Sequence, residues 1–406
     1  MKMIVTAPPQ PVRGSITLEG SKSISNRLLL MRALCEGGFD IKNISPSDDS
    51  NTLSGLLSQQ PAMSDVGAAG TTMRFLTAYY SITPGERILT GSARMQQRPI
   101  GILVQALQKL GADIMHLERD GYPPIRIKGK PLKGGEIRIR ADVSSQYISA
   151  LMMIGPVLER GLILHLDGKI ASFPYIQMTL RTMQELGIQC TMEGQTIHIR
   201  PGAYTGKPMQ AESDWSAASY HYSIVALSPG SHMRIRGLFA DSLQGDSVLP
   251  KIYAQLGVET TFSGDEMHIQ QSGKPTTYLD WDYSDCPDIA QTVAVTCAGL
   301  GVEARFTGVE SLRIKETDRT AALQEELAKL NVSFSEESDG SWRLKGRAEE
   351  TKMQTIATYE DHRMAMSFAP LALQQKSIAI EEPMVVKKSY PSFWFDLARL
   401  GFGLAE

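Results

Sequence analysis

Residues 107–112 read Leu-Gln-Lys-Leu-Gly-Ala and close an amphipathic helical pattern that leads to a short strand pattern, Ile125-Arg126-Ile127. Gly111 is typical of a helix end, because glycine adopts the left-handed backbone conformation there without steric cost. In a later copy Asn331, the other residue that tolerates this conformation, takes the place of glycine. The full succession of helix end, strand, polar turn and second strand recurs at residues 183–199, 253–269 and 327–344. The sequence therefore predicts a fold built from one repeated unit.

The residues that end these helices are regularly spaced. Counting a fifth helix end at 397–401, the markers lie 70 to 76 residues apart: Gly111, Gly187, Gly257, Asn331 and Gly401. A sixth, shortened copy is predicted at 53–60, where Pro61 leaves no room for the strand pair. Helix caps of this kind occur in any fold, but their regular spacing favours six repeats of about 68 residues, three in each of two domains.

Alternating helix and strand patterns place the chain in the α/β class. Polar turns at 193–195 and 263–266 predict hairpins, so a purely parallel, doubly wound sheet is not expected. No Gly-x-Gly-x-x-Gly follows a strand pattern, and a dinucleotide site is therefore unsupported. A length of 406 residues exceeds one comfortable hydrophobic core and agrees with two domains.

Composition and charge limit the possible partners and compartment. With 41 basic against 44 acidic residues the net charge is −3, which argues against a surface that binds nucleic acid. The four cysteines form no Cys-x-x-Cys pair and are expected to be inert thiols in a reducing cytosol. Pro8 and Pro9 interrupt the start before a signal peptide could form, and apolar runs such as 293–302 reach only about half a membrane span. We expect a cytoplasmic protein without membrane contact.

Residues 20–27, Gly-Ser-Lys-Ser-Ile-Ser-Asn-Arg, concentrate anion-binding groups just ahead of an apolar helical run. Ser21 or Ser23 is a suitable N-cap, so free backbone N–H groups and the helix dipole would face whatever Lys22 and Arg27 attract. The spacing excludes a Walker P-loop, which needs four residues between its glycines and Lys directly after the second. Taken alone, the stretch fits a phosphate site and an ordinary capped helix equally well.

Four more polar stretches precede helical patterns in the first half of the chain. Thr71, in a glycine-bracketed turn, is expected to cap the next helix. Pro99, directly after Arg98, is expected in the first turn of a helix over 100–110. Hydroxyl and amide groups stand at the two other starts, Ser144-Ser145-Gln146 and Ser172. Each is more often a structural cap than a site, but their recurrence in successive units favours binding.

The second half carries titratable residues ahead of its helical patterns. Asp288 precedes the apolar run 289–300 and could be a helix cap or a base. Residues 313–319, Arg-Ile-Lys-Glu-Thr-Asp-Arg, place Lys315 and Arg319 at i, i+4. The stretches Glu360-Asp361-His362-Arg363 and Lys387-Lys388 lead into further helices. A solvated ladder of surface charges is the alternative interpretation of such residues.

Together these stretches resemble the 5-enolpyruvylshikimate-3-phosphate synthase family, whose members join phosphoenolpyruvate to shikimate 3-phosphate. The resemblance extends nearly from end to end. It rests on nine ordered motifs: LEGSKSISNR at 18–27, AGTTMR at 69–74, RMQQRPIG at 94–101, VSSQ at 143–146, SFPYI at 172–176, PDIA at 287–290, RIKETDR at 313–319, DHRMAM at 361–366 and KSYPSF at 388–393.

The resemblance implies, residue by residue, which side chains bind each substrate. The contacts to shikimate 3-phosphate would be Lys22, Ser23, Arg27, Ser144, Ser145, Gln146, Ser172, Asp288 and Lys315. The contacts to phosphoenolpyruvate would be Lys22, Gly70, Arg98, Gln146, Arg319, Arg363 and Lys388.

The resemblance also implies an enolpyruvyl transferase fold, an inside-out α/β barrel with two globular domains of three βαβαββ-like repeats each. One domain would comprise 21–212, with its first repeat shortened, and the other 1–20 together with 213–406. The active site would lie in the cleft between them. We expect a monomer whose partners are its two small-molecule substrates.

The matched residues predict chemistry without a metal or an organic cofactor. The two substrates carry about six negative charges near neutral pH. Seven cations would face them, with Asp288 and Glu316 as the carboxylates: Lys22, Arg27, Arg98, Lys315, Arg319, Arg363 and Lys388. These cations would do what magnesium does in kinases.

The carboxylates would supply acid–base catalysis. Asp288 is expected to accept the proton of the attacking 5-hydroxyl. Glu316, helped by Lys22 or Lys388, is expected to protonate the methylene carbon of phosphoenolpyruvate. Repulsion between the cations of the two domains predicts an open empty form that closes when shikimate 3-phosphate binds.

The chain departs from the family pattern at positions that remove none of the matched charges. Ala68 and Glu360 stand where Asn is usual, Phe75 where Pro is common, and Ser311 where many members have Asn. The first repeat is shortened between residues 53 and 67.

Two alternative functions stay open. An enolpyruvyl transferase that acts on UDP-N-acetylglucosamine would have Asn in place of Ser23 and a reactive Cys ahead of Arg98, and the chain has neither. A non-catalytic anion-binding paralogue would be expected to have lost a titratable group, but both Asp288 and Glu316 are present.

Overall fold

The computed structural model describes residues 1–349 and 352–406, and helices alternate with strands throughout them, which confirms the α/β class. The helices are α1 (Lys22–Leu34), α2 (Asp48–Gln59), α3 (Gly70–Ile82), α4 (Ala93–Gln96), α5 (Gly101–Lys109), α6 (Ser145–Ile154), α7 (Phe173–Glu185), α8 (Trp215–Leu227), α9 (Leu249–Gln255), α10 (Ala290–Leu300), α11 (Arg319–Ala328), α12 (His362–Phe368), α13 (Ala372–Gln375) and α14 (Phe393–Arg399). Short 3-10 turns cover Gly155–Val157, Gly245–Val248, Pro287–Ile289, Glu310–Ile314, Ala369–Leu371 and Pro383–Lys388.

The strands are short, as the hairpin pattern predicts. They are β1 (Lys2–Thr6), β2 (Arg13–Thr17), β3 (Ile41–Lys42), β4 (Met63–Asp65), β5 (Gly85–Thr90), β6 (Asp113–His116), β7 (Ile125–Gly129), β8 (Gly135–Arg140), β9 (Leu162–Asp167), β10 (Cys190–Glu193), β11 (Thr196–Ile199), β12 (Met209–Gln210), β13 (His232–Arg236), β14 (Val258–Ser263), β15 (Glu266–Gln271), β16 (Tyr278–Asp282), β17 (Glu303–Thr307), β18 (Ser333–Glu336), β19 (Trp342–Lys345), β20 (Thr355–Ile356), β21 (Ser377–Glu381) and β22 (Gly403–Ala405).

The chain divides into two compact units, each with its own hydrophobic core. The continuous unit comprises residues 20–211, and the discontinuous unit comprises 1–19 and 212–406. The continuous unit contains the four-stranded sheets β4-β5-β7-β6 and β10-β11-β9-β8 and the two-stranded sheet β12-β3. The discontinuous unit contains three four-stranded sheets, ordered β20-β21-β1-β22, β14-β15-β13-β2 and β16-β17-β19-β18.

Every four-stranded sheet has the same topology. Its first two strands are parallel, and the two strands of a hairpin add to them antiparallel, as in the sheet formed by β4, β5, β7 and β6. With a helix before the second strand and another before the hairpin, the unit is βαβαββ. In one sheet β22 and β1 take the two hairpin positions, with Ile4 opposite Ala405. Strands from opposite ends of the described chain thus complete a single repeat.

The residues predicted to end helices adopt the left-handed conformation. Their φ angles are 98° at Gly111, 84° at Gly187, 85° at Gly257, 61° at Asn331 and 91° at Gly401. Gln60, at the end of the shortened copy, also has a positive φ of 44°. The backbone therefore confirms the helix ends that mark the repeat, including the exchange of Gly for Asn at position 331.

Three helices in each unit are largely buried and pack on one another: α1, α3 and α6 in the continuous unit, and α8, α10 and α12 in the discontinuous unit. A helix that is apolar on most sides is a core helix. Their first turns are neighbours, since Gln146 of α6 donates from Nε2 to Thr71 of α3 at 3.1 Å. In the discontinuous unit Arg363 of α12 lies 3.0 Å from Asp288, ahead of α10, and 3.5 Å from Ser216 of α8, so the N-termini of successive repeats meet there too.

Of three predicted helix starts, one is confirmed and two are wrong in detail. Ser21 is the N-cap of α1 as predicted, although its hydroxyl makes no capping hydrogen bond. Thr71 lies inside the first turn of α3, behind the N-cap Ala69, because its hydroxyl is engaged by Gln146. Pro99 precedes α5 because side chains hold its carbonyl outside the helix. Tertiary hydrogen bonds override capping preference in the last two cases.

Candidate active site

Lys22 and Ser23 open α1 in the continuous unit. The Nζ atom of Lys22 lies 3.3 Å from a carboxylate oxygen of Asp49, in the first turn of α2. The Ser21 side chain does not cap α1, so backbone N–H groups at this helix start can donate to a ligand. A lysine at a helix start without a side-chain cap suits a phosphate or a carboxylate.

Arg27 is buried one turn below, with 2% of its surface exposed. Its Nε donates to Thr179 Oγ1 at 2.7 Å and an NH1 hydrogen to the Ser23 carbonyl at 2.9 Å. The rings of Phe75 and Tyr175 lie 5.8 and 5.6 Å from the guanidinium carbon. Burial lowers the pKa of Arg27 to about 10. Neutral dipoles and aromatic faces, rather than a carboxylate, surround this cation.

Gly70 and Arg98 are in direct contact. A Cβ atom at Gly70 would lie 2.6 Å from a terminal nitrogen of Arg98, so the guanidinium approaches the first residue of α3 as closely as only glycine permits. The N-cap of α3 is Ala69, which has no capping side chain. A guanidinium beside an uncapped helix start is well suited to bind a carboxylate or phosphate.

The starts of α6 and α7 supply hydroxyl and amide groups. Ser144 caps α6, its Oγ accepting from the Gln146 backbone N–H at 3.3 Å, and Ser145 is the first residue of the helix. Ser172 is the N-cap of α7 with φ 55° and ψ 49°, and its side chain makes no capping bond. A left-handed serine is uncommon, and such outliers concentrate at ligand sites.

Arg319 gathers three carboxylates in the discontinuous unit. It is the first residue of α11, and its Nε lies 2.7 Å from Asp361, its NH1 3.1 Å from Asp288 and its NH2 2.9 Å from Glu316. Burial alone would lower the pKa of Arg319, but the three carboxylates outweigh it and raise the pKa. Arg319 therefore stays charged and fixes three acidic groups at once.

Asp288 is held by cations and does not cap a helix. It lies in a 3-10 turn ahead of α10, whose N-cap is Ile289. Its carboxylate oxygens lie 3.7 Å from Lys315, 3.1 Å from Arg319 and 3.0 Å from Arg363. Of the two roles left open by the sequence, the cap is wrong. Three positive charges fix the orientation of the carboxylate. A general base needs such a defined position.

Glu316 links Arg319 to Lys388. One carboxylate oxygen lies 2.9 Å from Arg319 and the other 3.1 Å from the Nζ of Lys388. Lys388 ends a 3-10 turn and is buried. Lys315 and Arg319 do not form a surface ladder, because Lys315 precedes α11 and both converge on Asp288.

Three acidic residues belong to these clusters but are not among the predicted site residues. Asp49 pairs with Lys22 and Asp361 with Arg319, which places two further carboxylates beside predicted site residues. Asp246 is buried, and the Ser216 hydroxyl donates to it. Burial and the neighbouring Asp288 raise the pKa of Asp246 to about 7, against the opposing charge of Arg363.

The repeat itself gives the pattern that could have found them. In each repeat, site residues stand at the start of the buried first helix or of the second helix. Asp49 stands in the first turn of α2, and Asp246 in the 3-10 turn ahead of α9. Arg98, Ser172, Arg319 and Lys388 occupy the corresponding place in other repeats, ahead of or at the start of the second helix.

Metal-ligating residues do not cluster in the described part of the chain. Within 1–349 and 352–406, no group of three or more His, Cys, Asp or Glu could hold an ion. The four cysteines are buried and form no disulfide. None of the helices in those ranges has both the length and the apolar character that a membrane span requires.

Comparison with known families gives a match over nearly the whole chain. The model of the family described as EPSP synthase (3-phosphoshikimate 1-carboxyvinyltransferase) matches residues 6–60 and 51–397. The chain belongs to this family. The resemblance seen in the motifs is thereby confirmed, and the EPSP synthase family is a family of transferases.

Relatives in the EPSP synthase family agree in length. A 3-phosphoshikimate 1-carboxyvinyltransferase of Bacteroides fragilis (strain YCH46) is 48% identical over 406 residues, covering 100% of this chain and 99% of that protein. One from Haemophilus influenzae (strain ATCC 51907) is 34% identical over 437 residues, covering 98% and 99%.

Solved structures confirm the fold class. Two structures of EPSP synthase from Acinetobacter baumannii each cover 100% of both chains, with TM-scores of 0.80 and 0.78 at 21% and 20% identity. At this identity the similarity concerns the fold, and it agrees with the repeated βαβαββ architecture.

Proposed function

We propose that this chain transfers the enolpyruvyl group of phosphoenolpyruvate to the 5-hydroxyl of shikimate 3-phosphate and releases phosphate, a step of the shikimate pathway towards aromatic amino acids. The observation that carries the proposal is the pair Asp288 and Glu316, both held by the buried guanidinium of Arg319. In a member of the EPSP synthase family, this geometry allows Asp288 to act as a base and Glu316, paired with Lys388, to act in a proton donor.

Asp288 is the proposed general base. Its oxygens lie within ion-pair distance of Lys315, Arg319 and Arg363, which fix its direction. It would accept the proton of the 5-hydroxyl as that oxygen attacks C2 of phosphoenolpyruvate. A positioned base of this kind contributes about a hundredfold or more to a rate.

Glu316 and Lys388 are the proposed proton donors to the methylene carbon. The Lys388 ammonium lies 3.1 Å from a Glu316 oxygen, so a proton can pass along this pair to the carbon. Lys22 is the other candidate helper, and its described partner is Asp49. Addition gives a tetrahedral intermediate that carries the phosphate. Return of a methyl proton to the Glu316–Lys388 pair and loss of phosphate then re-form the carbon–carbon double bond and give the enol ether product.

The remaining residues are proposed to bind the two anions. For shikimate 3-phosphate they are Lys22, Ser23, Arg27, Ser144, Ser145, Gln146, Ser172, Asp288 and Lys315. For phosphoenolpyruvate they are Lys22, Gly70, Arg98, Gln146, Arg319, Arg363 and Lys388. Both sets draw on both units, and we propose that the two units serve one reaction. The uncapped starts of α1, α3 and α7 support the assignment of anions to the continuous unit.

Arg27 would act mainly through its charge. Four of its five N–H groups already donate to Thr179, Ser149 and two backbone carbonyls. Stabilisation of developing charge by fixed cations of this kind is the largest expected catalytic effect. We further propose that the enzyme needs neither metal nor organic cofactor, works in the cytoplasm and is a monomer.

The proposal is tested by measuring phosphate release from phosphoenolpyruvate with purified protein. We expect release with shikimate 3-phosphate, one phosphate for each acceptor consumed, in the presence of a metal chelator. UDP-N-acetylglucosamine serves as the matched acceptor, and a sample without acceptor as the blank. Release with the sugar nucleotide alone would assign the chain to the other transferase. No release with either would make it a non-catalytic anion-binding protein.

A further inference from the structure

The carbonyl oxygen of Pro99, directly after Arg98, accepts hydrogen bonds from two buried side chains. The Tyr147 hydroxyl donates at 2.5 Å and an NH2 hydrogen of Arg74 at 2.8 Å. Tyr147 is 1% exposed and Arg74 4% exposed. Both acceptor positions of one loop carbonyl are thus occupied. We call Arg74, Tyr147 and the Pro99 carbonyl the carbonyl clamp.

Arg74 joins this carbonyl to the start of α3. Its NH1 donates to the Gly70 carbonyl at 3.2 Å, one turn earlier in the same helix. Gly70 is the residue against which the Arg98 guanidinium lies. A single side chain therefore sets the distance between the backbone that carries Arg98 and the helix start that Arg98 contacts.

Tyr147 joins the same carbonyl to α6. It follows Gln146, whose Nε2 donates to Thr71 at the start of α3 at 3.1 Å. The Arg74 guanidinium carbon lies 5.9 Å from the centre of the Tyr147 ring. The first turn of α6 thus contacts two places. Tyr147 bonds to Pro99, next to the proposed phosphoenolpyruvate residue Arg98, and Gln146 bonds to the start of α3.

We propose that Tyr147 is a positioning residue, whose hydroxyl together with Arg74 fixes Arg98 against Gly70 for binding phosphoenolpyruvate. This inference rests on the proposed role of Arg98. Tyr147 touches neither substrate in this scheme and acts only through the carbonyl clamp. A guanidinium displaced from its place loses the paired geometry that makes arginine selective for carboxylate and phosphate.

The test is Tyr147→Phe, which removes one oxygen atom and keeps the ring. Loss of one hydrogen bond predicts a rise of about three- to tenfold in the KM for phosphoenolpyruvate. We expect kcat and the KM for shikimate 3-phosphate to stay within about twofold, because only one substrate is bound through Arg98. A general structural defect would move all three constants.

Tyr204→Phe is the matched control. Its hydroxyl is equally buried in the continuous unit and donates at 2.7 Å to the carbonyl of Met153, near the other end of α6. We expect this variant to leave the KM for phosphoenolpyruvate unchanged. An equal rise in both variants would overturn the proposal.

A second comparison uses the Arg98→Ala background. If Tyr147 acts through Arg98, adding Tyr147→Phe to Arg98→Ala raises the KM no further. A full additional rise would overturn the positioning role. A normal KM for phosphoenolpyruvate in Arg98→Ala would overturn both the role of Arg98 and that of the carbonyl clamp. A raised KM in Arg98→Ala together with a normal KM in Tyr147→Phe would overturn the role of the carbonyl clamp alone. Should Tyr147→Phe not fold, Arg74→Lys, which keeps the charge but cannot reach both carbonyls, is held to the same expectations.

Discussion

Arg27 and Arg319 are equally buried, 2% and 1% exposed, and lie in opposite surroundings. Arg319 donates to three carboxylates, whereas Arg27 donates to two hydroxyls and two carbonyls. Burial lowers the pKa of Arg27 to about 10. Burial would also lower the pKa of Arg319, but its carboxylates raise it instead. Both arginines are charged, but carboxylates balance the charge of Arg319, whereas only neutral groups surround Arg27.

Several helix starts differ in a similar way, although Ser144 caps α6 in the continuous unit and α10 in the discontinuous unit has no side-chain cap. In the discontinuous unit Asp214, Asp318 and Asp361 cap α8, α11 and α12 with carboxylates. In the continuous unit the N-cap side chains of α1, α3 and α7 make no capping bond. An anion at α1, α3 or α7 meets a helix start without a side-chain cap, but at α8, α11 or α12 it competes with a fixed carboxylate. The first arrangement favours binding and the second favours acid–base chemistry.

The largest expected effect is on stability and separates the two arginines. Arg319→Met removes the cation that pairs with the buried Asp361 and one of the cations that pair with the half-buried Asp288 and Glu316, and should cost about 3–5 kcal/mol in the free energy of unfolding. Arg27→Met leaves only neutral groups unpaired and should cost about 1–2 kcal/mol. Urea unfolding at pH 7 and pH 5 measures both. The penalty for Arg319→Met should shrink at pH 5, since carboxylates can take up protons, while that for Arg27→Met should not change.

The next effect concerns turnover. Asp288→Asn should lower kcat by at least about a hundredfold, because the proposed base is removed. It should also cost about 1–3 kcal/mol of stability, since three cations lose a charged partner. Asp361→Asn is the control, because Asp361 also binds Arg319 but is not assigned a proton. Turnover that falls equally in both variants would mean that Asp288 serves only to hold Arg319.

A smaller effect concerns pH and Asp246, whose pKa is raised to about 7 by burial and by Asp288. The ordinary pKa of an aspartate is 3.8, so between pH 3.8 and about pH 7 Asp246 holds a proton in the folded state that it has lost in the unfolded chain. Stability from this group is therefore present below pH 3.8 and is lost as the pH rises towards 7. Asp246→Asn should reduce this loss by at least about 1 kcal/mol. Urea unfolding of the unmodified protein and of Asp246→Asn from pH 4 to pH 8 measures this difference. Stability profiles that run parallel over this pH range would contradict the raised pKa of Asp246.

The smallest effect compares two strained residues, one in each unit. Glu360 has φ 56° just before Asp361, and Ser172 has φ 55° at the start of α7. Glu360→Asn should stabilise the protein by about 0.5–1 kcal/mol without loss of activity, because Asn tolerates this conformation and Glu360 is exposed. Ser172→Gly should relieve similar strain but weaken shikimate 3-phosphate binding. Thermal unfolding and KM values measure both, and an unchanged KM in Ser172→Gly would remove Ser172 from the binding set.

Much of the fold was predictable because the repeat is encoded locally. A helix end needs a left-handed residue, and Gly111 and Asn331 mark such ends whatever surrounds them. The helices α6, α10 and α12 begin within a few residues of the polar motifs that predicted them. The regular spacing of the helix ends predicted the repeat, and the polar motifs within each repeat predicted where these helices begin.

What the sequence could not show is which polar groups pair. Asp49 and Asp246 lie far along the chain from their partners Lys22 and Ser216, and only packing brings them together. The start of α5 moved beyond Pro99 because Arg74 and Tyr147 hold its carbonyl. Such tertiary bonds compete with local preference at each helix start, and local rules do not contain them.

The sheet in which β1 lies between β21 and β22 determines when the protein can finish folding during its synthesis. At about 5–20 residues per second, Ala405 is added about 10–40 s after Ala211, the last residue of the continuous unit. The continuous unit can fold on the ribosome in that interval, while β1 waits without its partner strands. Val5, fully buried in the finished sheet, is exposed throughout. Of the described strands, β1 is made first and is among the last to be paired, so chaperones that bind apolar nascent segments have a long opportunity there.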